Sequence, residues 1–306
     1  MQAVIEALEQ HGLRVLRDEP LALHTSFRIG GPVQAMVFPE SEEQLILAVT
    51  RLHTAGITPL LLGNGSNILA SDAPIDRIAI KTQDGVSRLE RLDENTICAS
   101  AGTRLARLAT FARDEGLTGL EFAHGIPGTL GGAVFMNAGA YGGEMAGVVS
   151  RVHYLDHNFI RQVAEIDACA FAYRHSRFMD TKELILGAEL TLTPGDPVEI
   201  GARMAALAEK RRTSQPLDLP SGGSTFKRPK TGYAAAMIDE AGLKGYTVGG
   251  AQVSEKHAGF VVNRGNATCT DVLAVMAHVQ EVVYARTGIR LEPEVELVGH
   301  GDLDAP

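Results

Sequence analysis

The stretch Gly125-Ile-Pro-Gly-Thr-Leu-Gly-Gly-Ala-Val-Phe-Met-Asn-Ala-Gly-Ala-Tyr-Gly-Gly143 constrains the fold of this chain more than any other. Seven of its 19 residues are glycine, against an average near ~7%. A flexible linker this rich in glycine is polar and Ser-rich, but here Ile, Leu, Val, Phe and Met stand between the glycines. Apolar residues in such a run need a core, so the segment is packed and its glycines let backbone come close to something. Two readings stay open: close packing of a helix on a sheet, or a cradle for a flat ring system and a pyrophosphate. The second makes the chain an enzyme with a phosphate-bearing cofactor.

Composition narrows the partners. Lys+Arg 28 against Asp+Glu 37 gives −9, which argues against nucleic acid or an anionic membrane as the main partner, since phosphate backbones demand a basic face. No apolar run approaches the ~20 residues of a membrane span. The start, MQAVIEALEQ, carries Glu6 and Glu9 where a secretory signal needs basic and then apolar residues, so a cytoplasmic location is expected. Cys98, Cys169 and Cys269 have no zinc-site spacing, and reduced, buried thiols with no metal are expected. Nothing in the sequence implies an oligomer.

The pattern of elements is α/β. Residues 1–20 read as a short amphipathic helix and a turn. Val33–Phe38 alternates as a strand, Ser41-Glu-Glu-Gln44 fits a capping box for a helix to about Thr54, and Gly56 closes it. Ile57–Leu62 completes a βαβ unit. Strands follow at Arg77–Ile80, Val86–Leu92 and Thr96–Ser100, with Asp93-Glu94-Asn95 as a turn. Thr103 can cap a helix to Glu115. Ser150–Asp156 and Glu183–Leu192 are strands, and a helix covers Val198 to Arg212. Val272–Arg286 is the clearest helix, apolar at 272, 275, 276, 279 and 283, and Ile289–Val298 is a closing strand.

Five further motifs can carry chemistry. Leu61-Leu-Gly-Asn-Gly-Ser-Asn67 is a glycine turn after a strand, but Ile68 stands where a dinucleotide fingerprint needs its third glycine. Positive φ at Gly63 and Gly65 would let backbone N–H groups converge on an anion, and a plain tight turn is the alternative. Tyr173-Arg174-His175-Ser176 is a polar turn whose Arg is either an ion-pair member or a binding group. Between Glu209 and Lys230 six basic and two acidic residues give a local +4, which suits a diphosphate beside Ser221-Gly-Gly-Ser-Thr-Phe-Lys-Arg-Pro229, or is a solvated face. Lys256 and His257 precede an apolar strand. In Leu291-Glu-Pro-Glu-Val-Glu-Leu-Val298, Val295 and Leu297 face a core and Glu294 and Glu296 the other side.

The series HTSFRIGG (24–31), GNGSN (63–67), GIPGTLGGAVFMNAGAYG (125–142), YRHS (173–176), GSTFKRP (223–229), KHAGFVVN (256–263) and EPEVELVG (292–299) closely resembles the UDP-N-acetylenolpyruvoylglucosamine reductase family over nearly the whole chain. The resemblance implies an α/β (α+β) vanillyl-alcohol-oxidase/PCMH-type FAD-binding fold of two α/β subdomains plus a C-terminal α/β substrate-binding lobe. It divides the chain at 1–75, 76–196 and 197–306. It implies FAD as cofactor, NADPH as hydride donor, and reduction of the enolpyruvyl ether of UDP-N-acetylglucosamine to UDP-N-acetylmuramate for peptidoglycan synthesis.

Carried over by motif, the catalytic residues are Arg174, Ser224 and Glu294. FAD falls to Gly63, Asn64, Gly65, Ser66, Asn67, Gly102, Gly125, Gly128, Thr129, Gly131, Gly132, Ala133, Asn137, Ala138, Gly139 and Ala140. The substrate falls to Tyr173, Arg212, Lys227, Arg228 and His257. Arg228 stands where many relatives place Asn. Only 37 residues separate Arg174 from Arg212, which identifies the shorter subtype, without the Tyr-bearing substrate loop. The competing readings are another FAD oxidoreductase on the same fold, such as an alcohol or hydroxy-acid oxidase, and a nucleotide-sugar-binding protein without catalysis.

Overall fold

The structure, a computed structural model, describes residues 1–82 and 86–299. The chain forms two compact units, and neither is one continuous span. The first comprises residues 1–17, 35–64 and 77–211, and the second 18–34, 65–76 and 212–306.

The first unit holds two cores, each packed on one of its larger sheets. A four-stranded sheet runs in the order Arg14–Pro20, Pro32–Phe38, Ile75–Lys81, Leu60–Leu62. The expected βαβ unit is therefore split, because Ile75–Lys81 sits between its two strands and pairs in parallel with Leu60–Leu62. Arg14–Pro20, expected as a turn, is a strand. The helix Glu42–Thr54 starts as its sequence indicates, with Ser41 Oγ accepting from the Gln44 N–H at 3.2 Å. The other half of the capping box is displaced by one residue: Gln44 Oε1 accepts from the Glu40 N–H, not from Ser41. Its Leu45, Ala48 and Leu52 pack with Ile5, Leu8, Ile78 and Ile80.

A five-stranded antiparallel sheet follows, ordered Arg161–Glu165, Val149–Leu155, Leu184–Thr191, Thr96–Ser100, Leu89–Arg91. The helices Leu105–Asp114 and Leu130–Phe135 and the long helix Pro197–Ser214 contribute to the core with this sheet, around Leu105, Leu108, Leu130, Val134, Ile200 and Met204. Thr103 does not cap the helix after it. Its side chain is buried and donates to the Arg88 carbonyl at 3.2 Å, and Arg104 is the N-cap.

The second unit is built on the helix Cys269–Thr287, whose Thr268–Asp271 pair makes a complete capping box and whose end is turned by Gly288 at φ 72°. Val272, Val275, Met276, Val279 and Val283 are all buried, as their spacing predicts. A three-stranded sheet runs Thr247–Val248, Ala251–Val253, Val261–Asn263. The expected strand Ile289–Val298 is regular only over Glu296–Val298, which pairs in parallel with Ile68–Ala70. Pro293 interrupts it, since proline has no N–H for a ladder. Among the described residues no helix is long and apolar enough to cross a membrane. The three cysteines are free thiols, Cys169 and Cys269 buried and Cys98 half-buried rather than fully covered.

Candidate functional site

In the first unit the glycine motifs are bound to each other. Asn64 Nδ2 donates to the Pro127 carbonyl at 2.6 Å, and Lys81 Nζ donates to the Gly63 carbonyl at 3.0 Å. A Cβ on Gly63 would overlap the buried Thr129 Oγ1. Gly63 therefore owes its identity to close packing and not to a left-handed conformation, contrary to the expectation for this turn. Gly65 does have positive φ, 63°, and a Cβ there would overlap the His24 carbonyl oxygen within the second unit.

Most glycines of the long segment are likewise fixed by protein neighbours. A Cβ on Gly131 would lie 2.8 Å from Ala101 Cβ, and one on Gly139 2.7 Å from the Gly143 carbonyl. Gly102 is buried, and a Cβ there would overlap Thr82 O. The Gly128 carbonyl accepts from the Leu105 N–H at 3.0 Å. Ala133 and Ala138 are core residues, and Ala140 pairs with Gly143 in a small hairpin. Gly132 differs. It is exposed, and a Cβ on it would meet nothing nearer than Thr129 Oγ1 at 3.8 Å. Its backbone is thus open to a guest.

Asn137 is fully buried with φ 46°. Its Nδ2 donates to Ala172 O at 2.9 Å and its Oδ1 accepts from the Ala146 N–H at 2.9 Å. Both ends of this amide are spent on protein. The first bond anchors a tight turn in which Ala172 and His175 exchange backbone hydrogen bonds, with Tyr173 and Arg174 at the tip. Ser176 Oγ secures the other side by donating to Phe135 O at 2.6 Å. Arg174 is thereby brought to the glycine segment, and its Nη2 donates to Gly139 O at 3.1 Å. Its φ of 54° is a left-handed conformation that costs a non-glycine residue about 1–3 kcal/mol.

Arg211, which no sequence motif marks out, lies against the glycine segment. Its side chain lies over Gly125, where an added Cβ would be 3.1 Å from Arg211 Cδ. Burial disfavours its charged form and shifts its pKa below the ordinary arginine value. A guanidinium keeps its charge across the working range of proteins. Charge count had drawn attention to its stretch, but contact with Gly125 is a long-range fact.

In the second unit the loop after Pro220 pairs with the segment 292–294. Lys227 N–H donates to Glu292 O at 2.8 Å, Phe226 and Pro293 bridge antiparallel, and Glu294 N–H donates to Thr225 O at 2.8 Å. Ser224 and Glu294 are thus brought to adjacent backbone positions. Ser224 is exposed and follows the left-handed Gly223 at φ 80°, whereas Glu294 is half-buried. Thr225 is buried, with its own N–H donating to Gly259 O at 2.8 Å and its Oγ1 accepting from the Val261 N–H at 2.9 Å.

Gly259 leads back to His257, whose Nδ1 accepts the Gly259 N–H at 3.2 Å. That bond leaves the ring proton on Nε2. Burial holds the His257 pKa below the usual imidazole value, so its ring is neutral near pH 7. Arg228 lies with its guanidinium carbon 4.2 Å from the centre of the exposed Tyr233 ring. The Arg212 carbonyl accepts from Lys256 Nζ at 2.6 Å. Tyr173 is exposed at its turn tip, and Ser66 is half-buried.

A cradle of packed glycines with open backbone at Gly132, beside a half-buried cation, suits a flat group that carries phosphate. The comparisons agree. The FAD binding domain profile matches residues 33–157, and that of the UDP-N-acetylenolpyruvoylglucosamine reductase C-terminal domain matches 215–298. The chain is therefore an FAD-binding oxidoreductase of the vanillyl-alcohol-oxidase fold type.

The UDP-N-acetylenolpyruvoylglucosamine reductase of Caldanaerobacter subterraneus subsp. tengcongensis is 44% identical over 282 residues, 92% of this chain and 93% of that protein. That of Limosilactobacillus reuteri is 45% identical over 297 residues, 95% and 97% of the two chains. The crystal structure of the Thermus caldophilus enzyme is similar with a TM-score of 0.80 at 34% identity, covering 94% of this chain and 99% of that one. The chain belongs to the UDP-N-acetylenolpyruvoylglucosamine reductase family.

Proposed function

We propose that this protein reduces the enolpyruvyl ether of UDP-N-acetylglucosamine to the lactyl ether of UDP-N-acetylmuramate, with NADPH as the source of reducing equivalents, and so supplies peptidoglycan precursors. The observation that carries the reading is the pairing of 225–227 with 292–294, through which Thr225 O takes the Glu294 N–H beside Ser224. A hydroxyl residue and a carboxyl residue on neighbouring stretches of backbone suit the protonation half of this reduction.

FAD would be held by the Gly63–Asn64 turn, by the open edge at Gly132 and by Arg211 over Gly125. When bound, it supplies the hydride to the terminal carbon of the enolpyruvyl group. Negative charge then develops on the substrate's α-carbon and carboxylate. Arg174 meets that carboxylate with a planar, permanent charge. Glu294, when protonated, donates a hydrogen bond to the same charge. Ser224 gives its proton to the α-carbon, a general-acid contribution of ~10²–10⁴ in rate. Lys227, Arg228 and Arg212 supply cations for the diphosphate, Tyr173 an aromatic edge and His257 a neutral Nε2–H donor. Ser66 and Asn67 complete the turn that follows Gly65.

An anaerobic experiment in two halves tests this. The purified yellow protein should bleach on addition of NADPH and recolour on addition of the enolpyruvyl sugar nucleotide. Failure to recolour sinks the reading. Bleaching by an alcohol in place of NADPH, with recolouring once oxygen is admitted, would instead favour an oxidase, and a colourless protein a binding role.

A further inference from the structure

Glu294 can act only if its main chain is fixed. Pro293 before it has no N–H to give. Its own N–H is held by Thr225 O at 2.8 Å. Its carbonyl is held by a side chain far away in sequence, Asn67 Nδ2 at 2.9 Å. The parallel ladder between Ile68–Ala70 and Glu296–Val298 ends at the Ile68–Glu296 pair, two residues short of Glu294. The Glu296 N–H donates to Asn67 O at 2.8 Å. Asn67 therefore grips this segment twice, by its peptide carbonyl at Glu296 and by its side-chain amide at Glu294. A primary amide is the side chain closest to a peptide group in its donors and acceptor, and here it supplies the next ladder bond after the backbone has stopped.

We propose that Asn67 is a positioning residue for Glu294, its amide extending the strand ladder by one bond to hold the acid's backbone in place. The proposal rests on the reading of Glu294 as an acid of the reductase, but the positioning itself can be measured without turnover. It moves Asn67 from the cofactor role its glycine motif suggests to the proton side of the reaction. Thr225, which takes the Glu294 N–H, also carries the neighbouring Ser224 in its loop. A loss at Asn67 is thus felt first at Glu294.

Asn67→Ala and Asn67→Asp test it in the full-length FAD-loaded protein. Asp has nearly the same shape but no donor while ionised. Amide hydrogen exchange in the peptide spanning 292–298 should rise in both variants at pH 8, with the helix Cys269–Thr287 unchanged. FAD affinity and flavin reduction by NADPH should stay within about twofold of wild type, while reoxidation by the sugar nucleotide slows about 10- to 100-fold, the cost of a small misplacement of an acid. As pH falls and the new carboxyl protonates, it regains a donor, so Asn67→Asp should recover towards wild type where Asn67→Ala does not. Unchanged exchange at 292–298, loss of FAD from both variants, or two variants alike at every pH would each overturn the proposal. Raised exchange in a protein whose wild type never recolours would leave the positioning standing and remove the reductase reading instead.

Discussion

The side-chain amide of Asn64 donates to the carbonyl of Pro127 at 2.6 Å, across 63 residues of sequence. One short bond thus makes a single structure of two glycine motifs that look independent along the chain. Gly63 meets Thr129 at the same junction, where there is no room for a Cβ. The glycines here fall into two kinds: those that let protein touch protein, and those such as Gly132 that leave backbone open.

Gly63→Ala and Gly132→Ala separate the two kinds. The first forces Thr129 Oγ1 aside and should cost about 1–3 kcal/mol in denaturant unfolding, as overpacking does. The second adds a methyl to open space in a helix, where Ala is favoured over Gly by up to ~1 kcal/mol. Stability should hold or rise, while FAD retention, read as flavin absorbance per protein, falls. If Gly132→Ala binds FAD as wild type does, the open edge faces no cofactor.

Arg174 joins strain to charge, and two variants part them. Arg174→Gly removes the charge and relieves the positive φ, while Arg174→Ala removes the charge and keeps the strained backbone. Both should lower reoxidation of the flavin by substrate about 10²–10³-fold, the scale of losing one preorganised donor. Arg174→Gly should be the more stable of the two by about 1 kcal/mol. Equal melting points would mean that the turn held by Asn137 and Ser176 relaxes without cost.

How much of this was legible in the sequence depends on the reach of each interaction. The helix Cys269–Thr287 could be read from apolar spacing, because one face meets one core. Thr103 misled because a buried threonine can serve a distant carbonyl as well as cap the next helix, and here it serves Arg88. The closing strand was read too long, since Pro293 and the bonds to Lys227 and Thr225 interrupt its ladder. Glycine content announced a close backbone approach but not its object: Gly131 meets Ala101, Gly139 meets Gly143, and Gly132 and Gly142 stand open. Asn67 and Glu294 lie 227 residues apart, and no local pattern carries a pairing of that range.

Ser224→Ala should leave flavin reduction by NADPH intact and slow reoxidation by the sugar nucleotide by ~10²–10⁴-fold, the worth of a positioned proton donor. The loop should not unfold, because its bonds are made by Thr225 and Lys227 and Ser224 is exposed. Equal slowing of both half-reactions would show that the serine serves binding and not proton transfer.

The native thiols should resist alkylation. Burial pushes Cys169 up to about 11 and Cys269 up to about 12, and Cys98 is raised by burial together with Glu189 and Glu90. A thiol attacks as thiolate, so at pH 8 iodoacetamide should modify all three far more slowly than in denaturant, as read by mass spectrometry. Rapid labelling of Cys269 in the folded protein would contradict its placement in the core of the second unit.

His257 gives the chain a pH dependence whose sign is fixed by burial. Its folded pKa lies below the ordinary value because burial disfavours the charged ring. An unfolded chain therefore binds more protons at His257 than the folded one between the folded pKa and about 6.5. Stability from this residue is full above about 6.5, falls as pH drops through that window, and levels off below the folded pKa. Protonation also leaves Nδ1 unable to accept the Gly259 N–H, the bond next to the Thr225 anchor. Denaturant midpoints measured from pH 8 to pH 5 should therefore decline more steeply for wild type than for His257→Asn, which has no proton to gain. Two parallel curves would mean that the imidazole is as easily charged in the folded protein as in water.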